Sequence, residues 1–254
     1  MDNIKDNLSF IEHFIGTVVK FLDDVQYNEP DHSLAPESRA NMESIYEESL
    51  RFFTQPTIQE QLSLRYNVIT KATRTTSRMA VYCWPNIPRN VLAQIGIHFT
   101  QLHLMDDSPR DYHADMATFF SDLLDGNEQQ VPYWRVMLGQ IPNLLCHSEP
   151  YTQYNIFRSI TDYYQSCWME ARDFNGYRGS ERYPRELRRL GQLGACMRSF
   201  MFPKTMSDEA GQFGDITSAI VHTEPVGALV NDLFSFYKEG VVRMSTELRN
   251  ATIW

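Results

Sequence analysis

Apolar residues recur along this chain mainly at intervals of three and four, and period-two runs of β-branched residues are nearly absent. The spacing predicts an all-α protein with helices at about 5–23, 38–54, 57–83, 88–107, 113–124, 133–146, 150–172, 184–200 and 214–239. Short breakers separate them: Glu29-Pro30, Gln55-Pro56, Trp84-Pro85, Ile87-Pro88, Gly126-Asn127 and the stretch from Gly176 to Pro184. No internal repeat or low-complexity linker interrupts the series, so the helices are expected to pack on one another around one core. No stretch reaches the roughly 18 to 20 apolar residues of a membrane span. Asp2, Lys5, Asp6, Glu12 and His13 break every apolar run at the N-terminus, so neither a signal peptide nor an anchor is expected there.

Composition narrows the function without naming it. The 254 residues are 43% hydrophobic and 13% aromatic, enough to line a cavity as well as to fill a core. Twenty-three basic against 32 acidic residues give a net charge of −9, which argues against a nucleic-acid surface and for carboxylates that are merely solvated or held for cations. Cys83, Cys146, Cys167 and Cys196 are scattered, with no CxxC pair and no zinc-finger spacing. They read as buried, reduced thiols of an intracellular, cytoplasmic protein.

The segment 88–107, PRNVLAQIGIHFTQLHLMDD, runs without a breaker from a first-turn proline to a carboxylate pair. Asp106 and Asp107 then sit at the negative end of the helix dipole, a mismatch of about 0.3 to 1 kcal/mol each that a bound cation would relieve. Phe99, Leu102, His103 and Asp106 fall at i, i+3, i+4 and i+7, so an aromatic and apolar stripe leads to the first carboxylate. That arrangement suits an apolar pocket with a charged mouth. Taken alone, Asp106, Asp107 and Asp111 read first as solvated loop acids within DDSPRD.

The segment 231–239, NDLFSFYKE, adds a second candidate. Asn231, Ser235 and Glu239 lie at i, i+4 and i+8 on one helical face, spanning about 12 Å along the axis, so their side chains must lean together to share a cation. All three offer oxygen, the donor that Mg²⁺ prefers, and none offers sulfur or imidazole. Lys238 points to the same face, where it can meet a phosphate oxygen. The ordinary alternative is a solvated polar stripe on an amphipathic helix.

One chemistry needs both segments. A diphosphate carries about three negative charges, and each carboxylate at 4 Å opposes it by roughly 4 kcal/mol per charge pair at an effective dielectric of 20. Divalent ions between the acids and the phosphates reverse that sign and stabilise the leaving group as its carbon–oxygen bond breaks. The allylic cation left behind must be kept from water, and aromatic faces stabilise it by about 0.5 to 2 kcal/mol per contact. Phe99, Tyr163 and Tyr164 are candidates for that wall, and each reads equally as core.

These residues resemble the signatures of class I terpene synthases, an aspartate-rich motif and a second motif of the form (N/D)Dxx(S/T)xxxE, which 231–239 matches in full. VYCW, DDSPRD, SCWMEARDFNGYRGS, YPRELRRLGQLG, DITSAI and NDLFSFYKE are further similar to the trichodiene synthase family of fungal sesquiterpene cyclases, from about residue 8 to Glu239. The resemblance implies a class I helical bundle that takes farnesyl diphosphate, three Mg²⁺ ions held with the bound diphosphate, and a homodimer. It implies Mg²⁺ ligation by Asp106, Asn231, Ser235 and Glu239, with Asp107 and Asp111 as further ligands. Arg188 and Lys238 match the family's diphosphate-binding residues, and Phe99 and Tyr163 its aromatics around the substrate chain. From the sequence alone, Arg188 reads as one exposed cation among four arginines between Arg182 and Arg189.

Three departures qualify the likeness. Arg110 replaces an acid in the aspartate-rich motif, although Asp111 follows. Pro225 falls inside the predicted helix 214–239, where it removes a backbone donor and is expected to kink the helix before Asn231. After Glu239 the chain reads GVVRMSTELRNATIW, which does not resemble the family's acidic continuation. We therefore expect a synthase domain over 1–239, lacking the family's C-terminal helices, and a divergent tail over 240–254. The resulting expectation is a magnesium-dependent cyclase of farnesyl diphosphate, with trichodiene the favoured product. The alternatives are a cyclase making another sesquiterpene and a noncatalytic truncated helical protein.

Overall fold

The computed structural model describes residues 2–24, 26, 36–62, 65–106, 118–171, 182–224 and 226. These are helical or in short turns and contain no strand, so the all-α expectation holds for them. The chain divides into two compact units, Met1–Leu34 with Val226–Trp254 and Ala35–Pro225. In the first unit, α1 runs over Asp2–Asp24. An exposed i,i+4 ion pair, Lys20 to Asp24 at 2.6 Å, lies in its last turn. No described helix is long and apolar enough to cross a membrane.

The second unit carries α2 (Pro36–Phe53), α3 (Pro56–Leu62), α4 (Tyr66–Cys83), α5 (Arg89–Asp106), α6 (Phe119–Asp125), α7 (Pro132–Leu145), α8 (Pro150–Ala171), α9 (Arg182–Gly191) and α10 (Gly194–Ser199). A further helical stretch, α11, covers 213–224. Four of these helices open on proline, whose fixed φ suits the first turn and whose missing N–H has no partner to lose there. At Gly126, α6 stops in the left-handed conformation (φ 71°), and the N–H groups of Gly126 and Asn127 both donate to Asp122 O. Pro225 and most of the predicted helix 214–239 lie outside the described residues, as do 113–117 of the predicted helix 113–124.

Two predicted helices are each divided. The expected 57–83 becomes α3 and α4, because Arg65 takes an extended conformation (φ −72°, ψ 138°) before α4 begins. The expected 184–200 becomes α9 and α10, broken where Leu193 turns left-handed (φ 53°). That conformation is unfavourable for a side chain with a Cβ, and Leu193 is held in it by burial in the main core. Cysteine burial also differs from expectation, since Cys83 and Cys146 are exposed while Cys167 and Cys196 are buried.

Packing centres on α5, which contacts α2, α4 and α7. From Ile95 to Leu102 every residue of α5 is buried. The expected apolar stripe is thus a helix enclosed on all sides, the pattern of a central helix. Gly96 permits the closest approach: a Cβ there would lie 2.9 Å from Ile45 Cγ2 and 3.2 Å from Ser49 Oγ on α2. The hydroxyls of Thr76 on α4 and Thr100 on α5 meet at 2.6 Å. From α7, Tyr133 Oη donates to Gln101 O (2.7 Å) and Gln140 Nε2 to Gln94 O (3.3 Å). Around α8, the Glu209 carboxylate accepts from the N–H groups of Tyr151 (2.8 Å) and Thr152 (2.9 Å), an acidic cap brought from a distant loop.

Gly96→Ala tests the α2–α5 contact. Alanine gains about 0.8 to 1 kcal/mol of helix propensity, but crowding the β-branched Ile45 costs about 1 to 3 kcal/mol. Net destabilisation is expected in urea unfolding followed by circular dichroism, and a raised midpoint would show that α2 can retreat.

Candidate functional site

The last turn of α5 ends at Asp106, whose place on the backbone is therefore set by the central helix. Its side chain lies outside the described part, and so do Asp107, Asp111, Asn231, Ser235, Lys238 and Glu239. Among the described residues no group of three or more His, Cys, Asp or Glu side chains is placed to hold a metal ion. The donor chemistry of the motifs nevertheless fits one: Asp106 is the last residue of α5, the end at which unpaired helix carbonyls favour a cation.

The structure describes three of the expected site side chains. Phe99 is buried, with its ring centroid 5.7 Å from Trp84 and 6.2 Å from Phe200, and those two rings are 5.8 Å apart. Trp84 Nε1 also donates to Met197 O at 3.0 Å, so this aromatic trio joins the end of α4, the body of α5 and the end of α10. Tyr163 is 9% exposed and lies 6.1 Å from Tyr164. Tyr164 belongs to a second aromatic group, 4.8 Å from Trp134 and 6.4 Å from Phe119. Burial raises the pKa of the Tyr164 phenol well above its usual value.

Arg188 lies on α9 and is half-buried, in contrast to the exposed cation that the sequence suggests. Its helix is strongly basic within an acidic chain, with Arg182, Arg185, Arg188 and Arg189 among ten residues. Three of these are exposed, and Arg188 alone is half-buried. Leu190 is buried on the same helix, and a Cβ at Gly191 would lie 3.1 Å from Ser166 Oγ of α8.

His98 and Gln101 are the residues that sequence reasoning passed over. They are 0% and 1% exposed, and both ring nitrogens of His98 and both amide atoms of Gln101 lack a hydrogen-bond partner among the described residues. Such atoms are costly to bury, at about 1 to 3 kcal/mol each. Desolvation lowers the His98 pKa to about 3, so the ring is neutral. The spacing carries the signal, since His98, Leu102 and Asp106 fall at i, i+4 and i+8, whereas the stripe that starts at Phe99 runs through His103.

The trichodiene synthase family model matches residues 9–246. The chain is similar to the trichodiene synthase of Stachybotrys chartarum, 36% identical over 228 residues, which covers 90% of this chain and 59% of that protein. The trichodiene synthase of Trichoderma arundinaceum is 39% identical over 227 residues, covering 89% of this chain and 58% of its own length. That of Gibberella zeae is 35% identical over 228 residues, covering 90% and 60%. The chain thus spans about three fifths of the length of these curated relatives.

Neutral His98 makes a pH prediction. Its folded pKa of about 3 lies below the ordinary value of 6.5, so the unfolded chain binds the extra proton between those limits. The associated stability is complete above about pH 6.5 and is lost as pH falls toward 3, amounting to about 2 kcal/mol between pH 7 and pH 5. Urea unfolding of His98→Leu at both pH values should show a smaller acid loss by that amount. An equal loss in variant and parent would mean that His98 is not buried neutral.

Proposed function

The chain belongs to the trichodiene synthase family, and on that footing we propose that it is a magnesium-dependent sesquiterpene cyclase acting on farnesyl diphosphate. Its favoured product is trichodiene, released with diphosphate in the cytoplasm by a homodimer. The observation that carries this reading is the identity of 35–39% over about nine tenths of the chain to proteins that bear the trichodiene synthase name, together with a family match over residues 9–246 that spans both acidic motifs.

Bound magnesium supplies the positive charge that lets an acidic protein take a diphosphate and lets that diphosphate leave. Asp106, Asn231, Ser235 and Glu239 are the proposed ligands, joined by Asp107 and Asp111, for three ions. Arg188 and Lys238 are proposed to bind diphosphate oxygens, Arg188 through the forked donors of its guanidinium. Once the carbon–oxygen bond breaks, no protein nucleophile is needed. Phe99 and Tyr163 are proposed to face the allylic cation and exclude water, and both are buried among other rings. A second reading is diphosphate binding without turnover.

Protein of residues 1–254 incubated with Mg²⁺ and farnesyl diphosphate should release diphosphate and a sesquiterpene hydrocarbon visible by gas chromatography. Folded, helical protein that releases neither sinks the cyclase reading, and magnesium-dependent diphosphate binding in that sample supports the second. In an active sample, Glu239→Gln should lower the rate and raise the magnesium concentration needed for half-maximal activity. An unchanged magnesium titration removes Glu239 from the ligand set.

A further inference from the structure

Beside the half-buried Arg188, Arg189 uses its whole guanidinium. Nε donates to Glu186 Oε2 at 3.0 Å and Nη2 to Glu186 Oε1 at 2.7 Å, a forked pair within α9. Nη1 reaches across to Asp162 Oδ2 of α8 at 3.7 Å. The hydrogen bond from Arg189 holds the Glu186 carboxyl below its usual pKa and raises that of Arg189. One helical turn along α8 from Asp162, Ser166 meets Gly191 at the close approach already described. Two points on α9, residues 189 and 191, thus register with two on α8, residues 162 and 166. Two such contacts fix both the station of a helix along its neighbour and its rotation about its own axis.

We propose that Arg189 is a positioning residue which, held by Glu186 and Asp162, sets the rotation of α9 and so the direction in which Arg188 presents its guanidinium to the substrate diphosphate. The proposal rests on the reading of Arg188 as a diphosphate ligand. Consecutive residues of a helix differ by about 100° in direction, so a turn of α9 that releases Arg189 from Asp162 carries Arg188 through the same angle. The pair within α9 is exposed, with Arg189 at 46% and Glu186 at 54%, while Asp162 is half-buried. Pairs of that kind add little to stability. Their geometry acts on aim, to which a bidentate anion contact is sensitive.

Charge alone and positioning predict opposite outcomes when an anchoring acid is removed. Asp162→Asn and Glu186→Gln each delete a negative charge beside Arg189, which by removing Coulomb repulsion strengthens binding of an anion to this basic helix. Positioning predicts that both weaken it by about three- to tenfold through misalignment. Titration calorimetry of residues 1–254 with inorganic diphosphate and magnesium chloride reads the dissociation constant, and circular dichroism melting of each variant checks the fold. Arg188→Ala is the reference and should lose about tenfold or more, while Arg189→Lys, which keeps the charge but not the fork, should fall between it and the parent. Asp162→Asn or Glu186→Gln protein that binds as tightly as the parent or more tightly, with Arg188→Ala still weakened, overturns the positioning role alone. No binding by the parent, or parental affinity in Arg188→Ala, overturns the Arg188 reading and this proposal with it.

Discussion

The described core depends on one constraint: α5, the helix that ends at Asp106, must be enclosed on every side along its body. Leu92, Ile95, Ile97, Phe99, Leu102, Leu104 and Met105 are all buried on α5. Each contributes about 1.5 to 3 kcal/mol relative to exposure. That gain exceeds the cost of burying the unpartnered groups of His98 and Gln101, at about 1 to 3 kcal/mol apiece. Polar contacts then fix what burial alone leaves free. Thr76, Tyr133 and Gln140 each bond to α5 from a neighbouring helix, and Gly96 sets the depth at which α2 sits. Sliding or turning α5 would break several of these at once.

A second frame, α8, organises what lies beyond α5. Its N-terminal N–H groups are capped by Glu209, and its side chains at 158, 162 and 166, spaced by four, meet three other points in turn. Arg158 lies 3.8 Å from Glu224 at the end of α11, Asp162 faces Arg189, and Ser166 faces Gly191. Arg198 Nε reaches the Thr223 carbonyl at 3.2 Å, and Gly194 lets the Glu224 carbonyl approach where no side chain would fit. The end of α11, only seven residues before Asn231, is therefore tied to both α8 and α10.

Much of this was legible because helix boundaries here are written in prolines and glycines. Pro36, Pro56, Pro132 and Pro150 open helices, and Gly126 closes one. The missed breaks have different causes. Nothing at 63–65 is a glycine or proline, so the periodicity ran through the gap before α4. At 191–194 the glycines flank the turn, while the left-handed residue itself is Leu193, held there by burial that no local rule supplies. The all-round burial of α5 was hidden for a related reason. His98, Thr100 and Gln101 look like a polar face in sequence, and only their neighbours' bonds and bulk reveal them as interior. Of the candidate site, Asp106 was legible in position, Phe99 and Tyr163 in burial, and Arg188 only through resemblance, because one arginine among four carries no local mark.

The contrast between Glu209 and Arg189 shows how the same kind of contact can serve different ends. Glu209 answers two N–H groups that a helix start necessarily leaves unpaired, so its bonds replace a deficit that the fold itself creates. Arg189 and Glu186 answer no such deficit, since both groups are largely exposed and water would satisfy either. An exposed forked pair is a weak device for stability and a good one for direction, because its two parallel bonds tolerate little rotation. The contact that crosses to another helix is that of Arg189 Nη1 with Asp162 of α8, and with the fork holding the guanidinium in place it restrains the rotation of α9, which carries the one half-buried arginine of a basic helix in a chain of net charge −9.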